Sequence, residues 1–412
     1  MSSAALKRPH RLAGRAQVVS RALLQRVSQT RRAPSHPRRI LIAHHLLLGD
    51  TLMLTPLIAK LRGRYPEAEI VLALPRAYEP LYAKAPYGVR AMGWDPHAPA
   101  ASALWAAPGF DIAYVPGDNR FGWLALALGS RWIVAFDGDR PRRKSWTVDE
   151  LRPYPATPAA WGDMVATLID GPPPAKYAVS DWGAPEAQAF DLPAVAFAVL
   201  HVGASTKLKL WRPERWHAIA AWLELHGIEP VWSAGGGEER IVRECDPLGR
   251  WRAYAGVLSL PQLWRLLARA ALLVAPDTGV AHLGRVVGTP TIALFGPGSA
   301  MISGGGAFWR DAPFRAVTVD PFPCRDQQVL FKREIAWVRR CGRTTAECPH
   351  PRCMDAIDVD RVIEAIDDLG IASRDRTLPD RRPSGGGARG RRPQRSRGSR
   401  RPPAARIRVS SS

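Results

Sequence analysis

Several absences narrow the reading of this chain before any motif does. No apolar run approaches the ~18 residues that a bilayer-spanning helix needs. No block of consecutive apolar residues follows the basic start, as a secretory signal would require, so the expectation is a cytoplasmic protein. A G-x-G-x-x-G is missing from both halves, and with it the dinucleotide fingerprint. Cysteine is sparse: Cys245, Cys324, Cys341, Cys348 and Cys353. The last four follow C-x16-C-x6-C-x4-C and lack the paired C-x2-C knuckles of a zinc ribbon. Reduced thiols in a loop-rich segment are the plainer reading, with a four-thiolate site for zinc or iron as the alternative.

Acid is absent from the first 39 residues, which carry ten Lys/Arg. Residues 371–412 carry thirteen Arg against Asp375 and Asp380. These two ends account for the whole formal charge of +21, so residues 40–370 are neutral. A nucleic-acid-binding body would itself present a basic face, and no nucleic-acid partner is expected. The Arg/Gly/Pro/Ser-rich tail after residue 370 has almost nothing apolar to bury and reads as disordered. The arm over 1–37 differs. Val18, Val19, Leu23, Leu24 and Val27 recur at helical spacing among Arg15, Arg21 and Arg26. That pattern fits either a solvated arm or a basic amphipathic helix lying on the anionic inner face of a membrane.

The body is α/β and restarts once. The first half, 38–185, opens on the apolar run Arg38–Ala43, passes a turn at Gly49-Asp50, and enters a helix with Pro56 near its first turn. Further strands are expected at 68–73, 111–115 and 132–135, with a helix over Phe121–Leu128. The Pro-rich stretch from Gly171 to Pro193 is linker-like. The second half, 186–370, repeats the pattern, with strands at 194–201 and 229–233 and a helix over Pro213–Leu225. A capping box at Ser259-x-x-Gln262 precedes another helix. Then comes a strand, polar turn, helix, strand and glycine turn: Leu272-Leu-Val-Ala-Pro-Asp277-Thr278-Gly279-Val-Ala-His282, running on to Gly288-Thr-Pro and Leu294-Phe-Gly-Pro297. A helix is expected to close the half near 357–369. Strand–helix alternation of this kind gives parallel sheets covered on both faces, here two Rossmann-like domains facing across a cleft.

Chemistry-bearing residues cluster where strands end and helices begin, the edge at which open α/β sheets bind ligands. Asp50 follows the first strand; it suits a general base for a hydroxyl and equally an N-cap, with Gly49 permitting a tight turn. Ser205, Thr206 and Lys209 precede a helix start and suit a phosphate cradle. Glu238, after a glycine run, suits a ribose-binding acid or a helix cap. Asp277, Thr278, Gly279 and His282 place an acid, a hydroxyl, a free N–H group and an imidazole at a helix N-terminus, where an anion is stabilised.

Four blocks in order resemble glycosyltransferase family 9, the ADP-heptose:lipopolysaccharide heptosyltransferase-like enzymes. They are Leu48-Gly49-Asp50 through Pro56, then Gly203-Ala-Ser205 with Lys209, Trp211, Glu214 and Trp216, then the glycine turn with Glu238, and finally Asp277 to Pro297. His44-His45, Leu210 and Pro276 depart from the usual family residues. The resemblance spans about residues 38–370 and implies a GT-B fold. It further implies inverting transfer of a sugar from a nucleoside diphosphate, with heptose from ADP-heptose as the expected donor. The acceptor would be a lipid-linked glycan of lipopolysaccharide or another cell-envelope type. Asp50 then corresponds to the base. Ser205, Thr206, Lys209, Glu238, Asp277, Thr278, Gly279 and His282 correspond to the donor site, with no cofactor or metal required. A nucleotide-sugar epimerase on the same scaffold and a non-catalytic membrane-surface binder are the rival readings.

Overall fold

The computed structural model describes residues 3–96, 103–106 and 109–371, with side chains from residue 14 onward in the first helix. The Arg-rich tail beyond residue 371, read above as disordered, lies outside the described residues.

The first half runs α1 (Ser3–Ser28), β1 (Arg39–Ala43), α2 (Leu48–Leu52), α3 (Thr55–Arg64), β2 (Glu69–Pro75), β3 (Val89–Trp94), β4 (Ile112–Val115), α4 (Gly122–Ala127), β5 (Ile133–Phe136), β6 (Glu150–Arg152) and α5 (Trp161–Val165). The strands form one parallel sheet in the order β3-β2-β1-β4-β5-β6. In β1, Ile40 and Ile42 enter one apolar layer and Leu41 and Ala43 the other. Strands buried on both faces need no polar alternation, which is why their sequence is continuously apolar. Leu57, Ile58 and Leu61 of α3 cover the first layer, and Leu124 to Ala127 of α4, with Ala22 of α1, the second. Pro56 sits in the first turn of α3, where its missing N–H costs nothing.

The second half runs β7 (Phe197–His201), α6 (Pro213–Leu225), β8 (Glu229–Ala234), α7 (Glu239–Cys245), β9 (Arg252–Ala255), α8 (Leu260–Arg269), β10 (Leu272–Pro276), α9 (Gly279–Val287), β11 (Thr291–Phe295), α10 (Ala300–Ser303) and β12 (Phe314–Thr318). A short hairpin of β13 (Val329–Leu330) and β14 (Arg333–Glu334) follows, then α11 (Arg352–Asp355) and α12 (Val359–Asp367). The second sheet is ordered β12-β11-β10-β7-β8-β9. Counted from its own first strand, this is the topology of the first sheet, the Rossmann order. The Ser259 capping box forms, with Gln262 Oε1 accepting from the Ser259 N–H at 2.9 Å. Gly288 closes α9 at φ 80°, the left-handed cap that glycine supplies.

The two halves share one apolar core. Ile40, Ile42 and Trp161 belong to the same buried cluster as Phe197, Leu273 and Phe295. The Pro-rich linker is itself pinned. The Tyr177 hydroxyl donates to Val286 O at 2.6 Å, and Trp182 Nε1 donates to Leu81 O at 3.0 Å.

A strap over residues 325–343 joins the halves a second time. Buried Arg325 donates to Phe295 O and Gly296 O at the end of β11. At the hairpin tip, buried Arg333 donates to Asp137 O (2.8 Å), Gly117 O (2.9 Å) and Asn119 Oδ1 (2.6 Å) of the first half. A planar guanidinium offers five donors in a fixed fork, against three on a freely rotating ammonium, and so can hold acceptors on several segments in one plane. Arg333→Ala should therefore lower the unfolding free energy by roughly 3 kcal/mol, since buried acceptors lose a charged donor. Arg333→Lys should recover only part of this in chemical denaturation. Wild-type stability in the alanine variant would contradict the clamp.

Candidate active site

A cleft of about 870 Å³ opens where the carboxyl ends of the two sheets meet. Asp50, Ser205, Thr206, Lys209, Glu238, Asp277, Thr278, Gly279 and His282 all line it. The fold explains the convergence. Asp50 follows β1, Ser205 to Lys209 follow β7, and Asp277 to His282 follow β10. In each sheet this is the switch point between its first and fourth strands, where a crevice must open.

Asp50 is the third residue of α2, whose N-cap position is Leu47 and which makes no side-chain cap. Its carboxylate is thus not spent on capping. Gly49 needs a different explanation from the expected tight turn, because it is helical. A Cβ there would lie 2.6 Å from Cδ2 of His282. Reciprocally, a Cβ on Gly279 would lie 2.9 Å from Cβ of Leu48. The two glycines allow α2 and α9, from opposite halves, to meet end to end, and they set Asp50 against the Asp277–His282 wall.

Lys209 ends a short 3₁₀ turn, Lys207–Lys209, capped by Thr206, whose Oγ1 accepts from the Leu208 N–H at 3.3 Å. Its Nζ donates to Asp277 O at 2.7 Å and Asp277 Oδ2 at 2.8 Å. An ammonium has three donors, so one is left for the cleft. Neighbouring Lys207 is exposed and does not line the site.

Burial and the nearby Asp277 carboxylate push the Asp50 pKa up to about 6, against the opposing pull of Lys209 and Arg340. His282 is buried and held well below its ordinary value by burial and by Arg285 and Lys209, so it is neutral. Arg285, itself buried, donates to Gly304 O at 2.6 Å and lies 2.9 Å from His282 Nδ1. Burial lowers it only to about 9, so it keeps its charge near neutrality. A guanidinium cannot accept a hydrogen bond. Nδ1 must therefore be the acceptor, and the imidazole proton resides on Nε2.

Thr278 occupies the N-cap position of α9 without capping it, and its Oγ1 is buried with no protein partner. Glu238 lines the cleft but spends both oxygens on main chain: Oε1 accepts from Ala204 N (3.0 Å) and Oε2 from Gly235 N (2.7 Å). It makes no helix cap, and it lies so close to Gly203 that any Cβ there would collide with it. Its first task is to tie the Gly203–Ala204 loop to the glycine turn.

Several cleft residues escaped the motif reading, among them His201, Tyr78, Gln327 and Arg340. His201 closes β7, a position that strand-end logic could have flagged; it lies 3.2 Å from Ser233 Oγ, and burial lowers it to about 4. Tyr78 comes from the 3₁₀ helix Arg76–Tyr82, and Gln327 and Arg340 from the strap, where no local pattern marks them. The departing His44 is fully buried, with its carbonyl accepting from Trp94 Nε1, and is structural.

All five cysteines are free thiols. Cys324, Cys341, Cys348 and Cys353 line a second cavity of about 330 Å³ with Glu347 and His350. Among the described residues, no group of three or more His, Cys, Asp or Glu is arranged to hold a metal ion. As placed, the thiols do not fit the zinc or iron alternative.

With this geometry in hand, comparison with known proteins is specific. The sequence profile of glycosyltransferase family 9 (heptosyltransferase) matches residues 121–307. Lipopolysaccharide heptosyltransferase 1 of Pseudomonas aeruginosa is 28% identical over 236 residues, 52% of this chain and 65% of that protein. Over that region the chain is similar to glycosyltransferase family 9 and is heptosyltransferase-like. Lipopolysaccharide heptosyltransferase 3 of Escherichia coli is 26% identical over 326 residues, 68% of this chain and 89% of that protein. The solved structure of the E. coli ADP-heptose lipopolysaccharide heptosyltransferase II shares the GT-B fold at a TM-score of 0.60 and 17% identity, covering 81% of this chain and 98% of that one. The matched region includes Ser205 to His282, while Asp50 lies upstream of it.

The raised Asp50 pKa has a stability consequence. The folded state binds this proton more tightly than the unfolded state does. The associated stability is present below about pH 4 and lost as pH rises through about 6. Asp50→Asn should thus be more stable than wild type at pH 8, by about 1–3 kcal/mol, and lose that advantage by pH 4. Thermal unfolding across that range reads it directly, and equal stability at pH 8 would contradict the crowded carboxylate.

Proposed function

We propose that this protein is an inverting glycosyltransferase. It moves a sugar, heptose from ADP-heptose, onto a hydroxyl of a lipopolysaccharide-type or other cell-envelope glycan. The observation that carries this reading is the facing pair across the cleft: an unspent, proton-poised Asp50 on one half and the Lys209–Asp277 wall on the other. The names of the heptosyltransferase relatives support the donor and acceptor class.

The donor diphosphate lies against Lys209 and the free N–H groups at the start of α9, with Ser205 and Thr206 at its edge. Helix N-termini favour such an anion. Glu238 shapes this cradle and offers its remaining lone pairs to the ribose hydroxyls. Thr278 Oγ1 and the Nε2–H of His282 hydrogen-bond phosphate or sugar oxygens. Asp50 takes the proton of the acceptor hydroxyl as its oxygen attacks the anomeric carbon. The carbon–oxygen bond to the diphosphate breaks on the opposite face, inverting the configuration. Lys209 and Arg340 offset the charge that develops on the leaving nucleoside diphosphate, a preorganised electrostatic contribution. A base with a pKa near 6 is largely ionised at neutral pH and still basic enough to take a proton.

Transfer assayed with ADP-heptose and a core-glycan acceptor tests this. Asp50→Asn should lower kcat by 10²–10⁴-fold, a general-base loss. In wild type, kcat/KM should rise with pH to a plateau above about 6, as Asp50 ionises. Transfer by Asp50→Asn at the wild-type rate would remove the base assignment. Donor conversion without any acceptor would point to an epimerase instead. A lipid-borne acceptor also implies a station at the inner face of the cytoplasmic membrane.

A further inference from the structure

The first helix carries an apolar strip that the protein does not bury. Gly14, Val18 and Ala22 of α1 lie on its inward side, and Ala22 and Val18 pack with the α4 side of the first sheet. Val18 therefore leaves the apolar face on which the sequence placed it with Val19, Leu23, Leu24 and Val27. Those four point outward, with Leu24 70% and Val27 90% exposed. A solvated helix would put its polar side there. Here the inward side is small and apolar, and the outward side is large and apolar.

The helix is not a loose arm. Arg26 and Arg31 both pair with Asp149, whose carboxylate is nearly buried and also accepts from the Ile133 N–H at 2.9 Å. The strip is thus held in a fixed orientation on the first half.

Its surroundings are cationic and aromatic. Arg26 lies over the ring of Trp146, 5.5 Å from its centre, and Trp146 stacks on Trp123 while remaining 46% exposed. Trp146 belongs to the segment Arg140-Pro-Arg142-Arg143-Lys144-Ser-Trp146, which enters the 3₁₀ helix Arg142–Thr147 and in which Arg140, Arg142 and Arg143 are exposed. Arg15 and Arg21 are exposed on the helix flanks. No acidic residue occurs in the first 39 positions.

We propose that the outward strip of α1, together with the Arg140–Trp146 segment, is a seat for an anionic lipid surface. The helix lies in the plane of the interface with Leu23, Leu24 and Val27 among the acyl chains. Arginines reach the lipid phosphates, and Trp146 sits at headgroup level. Charge selects this occupant over a second copy of the chain. Two such faces together would oppose five exposed arginines with five more, with no acid on α1 to offset them. The seat rests on this surface alone and not on the catalytic reading.

The test uses the full-length chain and vesicles of phosphatidylcholine, with or without phosphatidylglycerol. Leu23→Ser/Leu24→Ser/Val27→Ser keeps every charge and leaves the Arg-rich tail intact. It should reduce sedimentation with the anionic vesicles by more than about tenfold without lowering the melting temperature. Arg142→Gln/Arg143→Gln should weaken anionic binding about fivefold for each charge removed. Wild type should bind pure phosphatidylcholine far less well. Unchanged vesicle binding by the triple variant would overturn the seat. So would light scattering showing a wild-type dimer that the triple variant dissociates while vesicle binding persists. Transfer to a water-soluble acceptor, measured alongside, separates failure of the seat from failure of the catalytic reading.

Discussion

Everything proposed for the site depends on two residues that lack a side chain. Gly49 and Gly279 stand where the N-termini of α2 and α9 meet, and each leaves room for an atom of the other half. Neither has the positive φ that would demand glycine on backbone grounds. The demand is for space, and close packing leaves no slack to supply it elsewhere. With the gap closed, Asp50 comes within electrostatic reach of Asp277, Lys209 and Arg340.

The resulting site is a balance of like and unlike charge. Two carboxylates, Asp50 and Asp277, crowd one cleft. Among the described residues the Lys209 ammonium bonds to Asp277 alone, so that acid is paired and Asp50 is left short of compensation. This asymmetry divides the roles of the two acids: one positions a cation, the other holds a proton loosely near neutrality. Arg285 adds a second fixed choice behind the wall, because its donor to Nδ1 leaves His282 presenting Nε2–H. None of these assignments requires the ligand to arrange the groups, so their reorganisation is small when charge develops in a reaction.

How much of this was legible in the sequence follows a physical rule. The strands read from composition, β1, β2, β4, β5, β7, β8, β10 and β11, are the central ones of both sheets. The strands overlooked, β3, β6, β9 and β12, are the four edges. Central parallel strands are buried on both faces and appear as apolar runs. Edges such as Glu150-Leu-Arg152 and Arg252-Ala-Tyr-Ala255 carry charge and reveal themselves only through their neighbours. Site residues that follow a strand within one motif were equally visible, Asp50, Lys209 and Asp277 among them. Arg340 was not, because it reaches the cleft through a strap anchored at Arg325 and Arg333, and two buried arginines in a loop-rich segment leave no periodic trace. Gly49 was noticed for the wrong property, since a turn glycine and a contact glycine look alike until the partner helix is in place. The amphipathic character of α1 could be read, but not which part of its apolar side faces outward.

The central claim is that the meeting of α2 and α9 sets Asp50, proposed as the base, against the Asp277–His282 wall proposed to hold the donor. Gly49→Ala tests it most directly, because it adds one methyl at that contact and removes no reacting group. Calorimetric affinity for ADP and the single-turnover rate of sugar transfer should be measured on the same preparation. The account predicts a transfer rate lowered more than tenfold by misplacement of Asp50, with a smaller loss of ADP affinity, because the methyl presses on His282 while Lys209 and the start of α9 are unchanged. An unchanged transfer rate, or an equal loss in affinity and rate, would contradict it.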